Sequence, residues 1–475
     1  MLHEQQYRSG VRWSFVGTGA VAVLQLVQLA IFARIAGPQA AGEFALVAAL
    51  VSMGLPLAEA GIGQAVVQAD GLRRDHVLSL LVLSSAWSAL LYLLLWWLSP
   101  WCLSLFERSD LAGQARLLGA TWLFAPLQVL CTGVLQRAFR FDVLARTEAV
   151  SWLCAVGLVI WLALDGWGSW AMAVGFSMRQ AIATLGMVWA LGATFSGSFV
   201  RFARWKDLRS MFHFGWIETM MRLADQWSNN LDKAIVGQFL GAEALGMYNL
   251  GYTFLAMPTG RLGYMVSRVT FPVFARLRDD RGGLNAFFGE ATLDIVHLLF
   301  PLYALAFALA PEIIQTVFGD AWMESVPIVR IFCVLGFVRT VGVPIPQLLR
   351  GLGKPQWALY WLLGMTVVSN LALCLLMWAW PDVLAAAWSQ LLIQGLVGFW
   401  GYRLLTTWSG VDASEAWTAA LKIGLLVSVP LLLCLGLELW HVQWPWMYKT
   451  GIFGSFLCWF LWKGPAGAHL KKFLR

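Results

Sequence analysis

Apolar residues run through this chain in long blocks, and polar residues interrupt them at intervals matching the thickness of a membrane. About fourteen blocks are long enough to cross a hydrocarbon core of roughly 30 Å. They fall near 11–35, 41–67, 77–98, 111–135, 147–164, 169–193, 211–236, 244–269, 287–309, 326–349, 357–378, 383–405, 416–437 and 446–462. The interruptions are short, the longest about 15–20 residues, which leaves no room for a soluble catalytic domain. The pattern predicts an all-α polytopic membrane protein with about 14 transmembrane helices.

One block departs from the rest. Residues 211–246 read MFHFGWIETMMRLADQWSNNLDKAIVGQFLGAEALG. Within it Glu218, Arg222, Asp225, Asn229 and Asp232 recur at spacings of four, three, four and three, which sets all five on one helical face. A charge at the bilayer centre costs roughly 2.5–3.5 kcal/mol on insertion scales, so four facing lipid would cost on the order of 10 kcal/mol or more. This face is therefore expected to meet protein or water, as one wall of a polar cavity. Arg222, about 11 residues or roughly 16 Å into its block, is expected near mid-depth.

A fainter copy of the stretch lies at the N-terminal end. GPQAAGEF at 37–44 matches GAEALGMY at 241–248, an offset of 204. The same offset carries the charged stripe onto Ser14, Thr18, Val21, Gln25 and Gln28, four of them polar and all on one face. Near offset 213–214, Arg116 and Arg137 meet Arg330 and Arg350. The expected organisation is a six-helix bundle over 1–195, a linker over 196–210, a second six-helix bundle over 211–405, and an extra helix pair with a basic tail over 406–475. Six helices per half make this a parallel repeat, which puts the transport path at the junction of the halves. Thr18, Gln25, Gln28 and Asn229 are then candidates to line that path.

Charge fixes the expected orientation. Most of the 33 Lys and Arg sit in alternate loops and the C-terminal tail, whereas Glu107, Asp110, Glu312, Asp320 and Glu324 gather in the opposite ones. The positive-inside rule predicts a cytoplasmic N-terminus and, with an even number of spans, a cytoplasmic C-terminus. The net charge of +7 follows from topology and anionic lipid, with no nucleic-acid partner required. Composition agrees: 59% of residues are hydrophobic, 12% are charged, and 28 are Trp, several near block ends as an interfacial belt would have them. The seven Cys are scattered without CxxC pairing and read as apolar membrane side chains, not metal ligands.

LDKAIVGQFLGAEALGMYNLGYTFLAMPTGRLGYMVSRVTFPVFARLRDD at 231–280 and WSFVGTGAVAVLQLVQLAIFARIAGPQAAGEFALVAALVSMGLPLAEAGIGQAVV at 13–67 carry a resemblance. They resemble the polysaccharide-exporter branch of the multidrug/oligosaccharidyl-lipid/polysaccharide superfamily. The resemblance implies two bundles of six helices forming a V around a central cavity, in the bacterial inner membrane. It implies alternating access, with an undecaprenyl-diphosphate-linked glycan as cargo for exopolysaccharide or O-antigen synthesis. It also implies contact with membrane lipids, a polysaccharide polymerase and chain-length machinery. A cation-coupled small-molecule exporter of the same superfamily is the alternative. An enzyme is not expected, since neither a large outer loop nor a metal-binding carboxylate motif is present.

A lipid diphosphate needs cations, and the fork of an Arg suits it because it donates two hydrogen bonds at once. Arg222 is the leading candidate, followed by Arg261, Arg179 and Arg339. The bland reading of Arg222 is an internal ion pair with Glu218 or Asp225. Asp225, Glu218 and Asp232 are the candidate coupling carboxylates, with Glu59, Glu290, Asp294 and the neighbouring His297 in reserve. No cofactor is expected, and coupling to H⁺ or Na⁺ is left open.

Overall fold

The structure, a computed structural model, describes residues 2–62, 74–138, 140–195 and 205–411, with 414, 417–425 and 428. Secondary structure among these residues is helical throughout. The elements needed below are α1 (Leu2–Glu59), α2 (Arg74–Ser104), α3 (Ala112–Gly119), α4 (Thr121–Arg137), α5 (Phe141–Leu164) and α6 (Ser169–Phe195). They continue with α7 (Trp205–Arg276), α8 (Arg281–Ala308), α9 (Val326–Gly342), α10 (Ile345–Gly351), α11 (Pro355–Ala379) and α12 (Val383–Ser409).

Two of these helices are too long to be single rods. At 1.5 Å per residue, α7 with its 72 residues would run about 108 Å if straight, far more than any bilayer. Each long helix is broken at a glycine: α1 at Gly37 (φ 77°, ψ 178°) and α7 at Gly241 (φ 79°, ψ −176°). That region of backbone space is essentially closed to residues with a Cβ. The two glycines open the GPQAAG and GAEALG segments, so the repeated motif is a repeated backbone break.

Eight helices among the described residues are long and apolar enough to cross a membrane. The first rod of α7 is not one of them, because its charged stripe lowers its hydropathy. The spans expected at 416–437 and 446–462 lie largely or wholly outside the described residues, as does most of the expected 406–475 helix pair. Trp101, Trp189, Trp378 and Trp400 stand on the surface with most of their area uncovered, together with Leu93, Leu185, Leu371 and Leu396. An apolar surface of this extent suits hydrocarbon and not water. The chain is a multi-pass membrane protein.

The chain resolves into two compact units, residues 1–246 and 247–475. In the first, α1 packs on α5, α5 on α6, and α2 and α6 on α4. Phe32 of α1 is buried against Val159, Leu162 and Ala163 of α5 and Ala171 of α6, while Cys131 and Leu135 of α4 meet Leu144, Met187 and Leu191. The first rod of α7 belongs here because its glycines touch α1: a Cβ on Gly237 would lie 3.1 Å from Leu46 Cδ1, and one on Gly215 3.1 Å from the Ala60 carbonyl oxygen. Just past the Gly241 break the backbones also meet, since a Cβ on Gly42 would lie 1.6 Å from the Ala242 carbonyl oxygen, and one on Gly246 2.2 Å from that of Pro38. In the second unit α9 packs on α8 and α12, and α11 on α10 and α12. Its core holds Phe274, Phe288, Phe300, Leu348 and Leu349. The Tyr303 hydroxyl is buried there and donates to the Leu255 carbonyl at 2.7 Å.

Each unit also contains two related polar arrangements, the first with its arginines at an offset of 214. Arg116 donates through Nε to the Trp96 carbonyl and stacks on the Trp96 ring, its guanidinium 4.3 Å from the centroid. Arg330 does the same with the carbonyl and ring of Phe307, at 5.3 Å. Gln180 of α6 accepts from Arg179 and donates to Gln128; Gln394 of α12 accepts from Arg339 and donates to Gln390. Each unit thus meets internal polar demand with the same residue types, although Arg179 shares α6 with Gln180 whereas Arg339 lies on α9, across from Gln394 of α12.

Candidate functional site

The charged stripe lies on the first rod of α7, and at one end its partner is α1. Arg222 donates through Nη1 to Glu59 Oε2 at 2.8 Å and through Nε to Glu218 Oε1 at 3.3 Å. Glu218 is its neighbour one turn back, whereas Glu59 stands 163 positions away. The Arg222 side chain keeps 43% of its surface accessible, against 17% for Glu59 and 30% for Glu218. A guanidinium has five N–H donors, and two are used here, so it retains capacity for a further acceptor.

Depth follows from helix rise. Arg222 lies 19 residues ahead of the Gly241 break, about 28 Å of helix, and Glu59 lies 22 residues after Gly37, about 33 Å. On that measure both lie about the thickness of a hydrocarbon core, roughly 30 Å, from the paired glycine breaks, nearer a membrane face than the mid-depth position expected from hydropathy. The difference arises because α7 starts at Trp205 and its first rod reaches Gly241, beyond the block that hydropathy delimits. The α1 and α7 backbones touch just past the ion pair: a Cβ on Gly61 (φ 63°) would fall 2.0 Å from the Gly215 carbonyl oxygen. Between the two ends, Trp227 Nε1 donates to the Met53 carbonyl at 3.3 Å. Glycine contacts thus pin the second rod of α1 to α7 at both ends, just past the Gly241 break and at Gly215, with the ion pair beside the latter.

The rest of the stripe becomes more buried toward Gly241. Asp225 is exposed, and Asn229 is half-buried with its amide donating to the Asp225 carbonyl at 2.8 Å. Asp232 is buried and accepts from the Lys233 backbone N–H at 2.9 Å. Lys233 Nζ in turn donates to Asn230 Oδ1 at 3.2 Å. On α1, Gln25 is half-buried, while Gln28 is buried and donates to Met172 Sδ of α6 at 3.3 Å. The Thr18 and Arg261 side chains lie outside the described residues.

Two of the candidate cations sit elsewhere. Arg179 on α6 lies between the rings of Trp152 and Phe176, 4.9 and 4.8 Å from their centroids, and donates to Gln180 at 2.9 Å. Arg339 belongs to the second unit and donates to Gln394 at 2.7 Å, with Tyr252 6.0 Å away. What the structure brings together is Arg222, Glu218 and Glu59, with Asp225 next along the same face.

A second polar cluster was not singled out from the sequence. Glu43, just past the Gly37 break, accepts from Arg108 at 2.6 Å and from the Ser169 hydroxyl at 2.6 Å, and Ser169 accepts from Gln114 at 2.7 Å. Arg108 also holds Asp110 at 3.0 Å. The hydrogen bond to Asp110, then that to Glu43, raises the Arg108 guanidinium above its ordinary range against partial desolvation. A cation with a raised folded pKa contributes its stability at every pH below its unfolded value. The Arg108 side of this clasp between α1, α6 and the 104–112 segment is therefore insensitive to physiological pH. Its only sequence signal was the charge of the loop.

Long helices broken at paired glycines, with an apolar surface and one charged helical stripe, describe a multi-pass helical membrane fold, and solved structures agree. The inward closed Lipid II flippase MurJ superposes with a TM-score of 0.76 at 14% identity, covering 98% of this chain and 100% of that one. An inward-facing multidrug resistance MATE family transporter of the MOP superfamily gives 0.65 at 15% identity, covering 82% and 94%. At such identities the likeness speaks for architecture.

Sequence carries the assignment further. Residues 31–327 match the polysaccharide biosynthesis protein family, and the chain belongs to it. Among its relatives is the teichuronic acid biosynthesis protein TuaB of Bacillus subtilis (strain 168), 26% identical over 410 residues, covering 83% of this chain and 82% of that protein.

Proposed function

We propose that this protein is a flippase that moves a polyprenyl-diphosphate-linked oligosaccharide repeat unit across the bacterial inner membrane by alternating access, supplying exopolysaccharide or O-antigen synthesis. Family membership supports the polysaccharide pathway. The observation that carries the diphosphate is the accessible fork of Arg222, bridging α1 and α7 through Glu59 and Glu218.

The charge balance of this cluster sets its mode of action. With both carboxylates ionised, one Arg and two Glu sum to −1, so a diphosphate cannot simply be added. It takes Arg222 most favourably by displacing Glu59, since a multiply charged phosphate competes well with a single carboxylate for a guanidinium. In this reading cargo exchanges for Glu59, the tie between α1 and α7 loosens, and the path opens on the opposite side. Asp225, exposed one turn further along the stripe, is the carboxylate we assign to H⁺ or Na⁺ coupling. Both termini are cytoplasmic in this scheme.

Binding of a polyprenyl-diphosphate analogue to purified variants tests the reading. Charge-assisted hydrogen bonds are worth roughly 1.5–3 kcal/mol, so Arg222→Ala should weaken binding about ten- to a hundredfold. Arg222→Lys should restore part of the loss, since charge returns without the fork. Glu59→Gln should tighten binding by removing the competitor. A stable Arg222→Ala protein with unchanged affinity would remove the diphosphate from this site and favour a small-molecule exporter.

A further inference from the structure

Away from the stripe, the start of α5 and the end of α6 enclose a groove of about 800 Å³. Its lining takes one face from each helix: Val143, Arg146, Thr147 and Val150 from α5, and Ile182, Gly186 and Trp189 from α6. The two helices are in contact along the groove, where a Cβ on Gly186 would sit 3.1 Å from Thr147 Cγ2. Arg140 and Asp142 also line it. Arg140 and Arg146 are both exposed, as are Val150 and Trp189 on the flanks.

This groove is graded by depth. Arg140 immediately precedes the apolar span Phe141–Leu164, and Arg146 is five residues into it, about 8 Å along the helix. That is the level of the headgroup zone, which adds roughly 5–8 Å to each side of the hydrocarbon core. Trp189, two residues from the end of the span Ser169–Leu191, lies in the same zone, where amphipathic indoles collect. Beyond the arginines the walls are apolar, formed by Val150 and Ile182. A ligand for this site has an anionic head at the membrane surface and a hydrocarbon body below it.

We propose that the α5–α6 groove binds an anionic glycerophospholipid of the adjoining leaflet. The charges match: Arg140, Arg146 and Asp142 sum to +1, against the single negative charge of a phosphodiester such as phosphatidylglycerol. A polyprenyl diphosphate carries more negative charge than this lining neutralises. Basic pockets between membrane helices are a recurrent form of lipid headgroup recognition. The site is separate from Arg222 and stands whatever cargo the protein carries.

The test uses the full chain, purified and delipidated, with phosphatidylglycerol and phosphatidylcholine offered separately. Bound lipid is counted by native mass spectrometry and thermal unfolding is followed in parallel. The wild type should retain phosphatidylglycerol in preference to phosphatidylcholine and melt higher in its presence. At the usual contribution of an interfacial Arg, Arg140→Gln with Arg146→Gln should weaken phosphatidylglycerol about thirtyfold and abolish the preference. Val150→Trp, which leaves both charges and fills the groove, should also lose the lipid, and it keeps the test valid should the double variant not fold. Undiminished preference for phosphatidylglycerol in either folded variant overturns the proposal. So does displacement of phosphatidylglycerol by a polyprenyl diphosphate in the wild type but not in Val150→Trp.

Discussion

Arg222 carries the account at the scale of single residues, and its two carboxylates are not equivalent. Glu218 shares its helix, so their contact survives any rigid movement of α7. Glu59 is on α1, so that contact is made or broken as the helices move. A double-mutant cycle separates the two. Arg222→Ala alone strands Glu59, which is buried on 83% of its side-chain surface, and should destabilise the protein by about 1–3 kcal/mol. Adding Glu59→Gln should recover most of that loss, whereas adding Glu218→Gln should recover less, as measured by thermal unfolding in one detergent. Equal recovery by both would deny Glu59 its special place. The sequence made the Arg222–Glu218 pair legible because helical spacing alone brings i and i+4 together. It named Glu59 among the carboxylates but not as the partner of Arg222, since periodicity reveals which face a residue occupies and not which helix lies opposite. For the same reason periodicity placed Gln28 on the stripe of α1 without revealing Met172 of α6 as the acceptor of its amide.

At the scale of helices, the paired glycine breaks matter most. Gly37 and Gly241 have the same unusual backbone angles, and the glycines that follow each break let α1 and α7 touch through their backbones. Gly241→Ala should therefore destabilise by about 1–3 kcal/mol, the cost of holding a Cβ in that region. Gly157→Ala is the control of opposite sign. Gly157 lies inside α5 with nothing within 4 Å of a Cβ, so alanine there should be neutral or stabilising by up to about 1 kcal/mol. Thermal unfolding of both variants decides, and Gly241→Ala as stable as wild type would contradict the role given to the break. The GPQAAG and GAEALG motifs were legible as turns because glycine punctuates helices. The Arg–Gln–Gln chains, α6 to α4 in one unit and α9 to α12 in the other, were not, because glutamines in an apolar run carry no periodic signal.

For the whole molecule, the hydropathy pattern was enough to read an all-helical, multi-pass protein. It could not delimit α7, because backbone hydrogen bonding carries a helix through charged positions that hydropathy counts as loop. Orientation rests on loop charge. Reporter fusions after Arg209 and Arg475 should both report the cytoplasm, and a periplasmic signal at either would overturn the parallel two-half scheme. The central claim, that the cargo is a lipid-linked oligosaccharide, is tested most directly by flipping in reconstituted vesicles. A polyprenyl-diphosphate oligosaccharide is placed in both leaflets, and the fraction accessible to an impermeant glycan-modifying reagent is followed over time. Wild-type protein should make essentially all of the lipid accessible, while empty vesicles and vesicles with Arg222→Ala stop at the outer half. Accessibility arrested at that half with folded wild-type protein, under imposed H⁺ and Na⁺ gradients of either sign, would contradict the account.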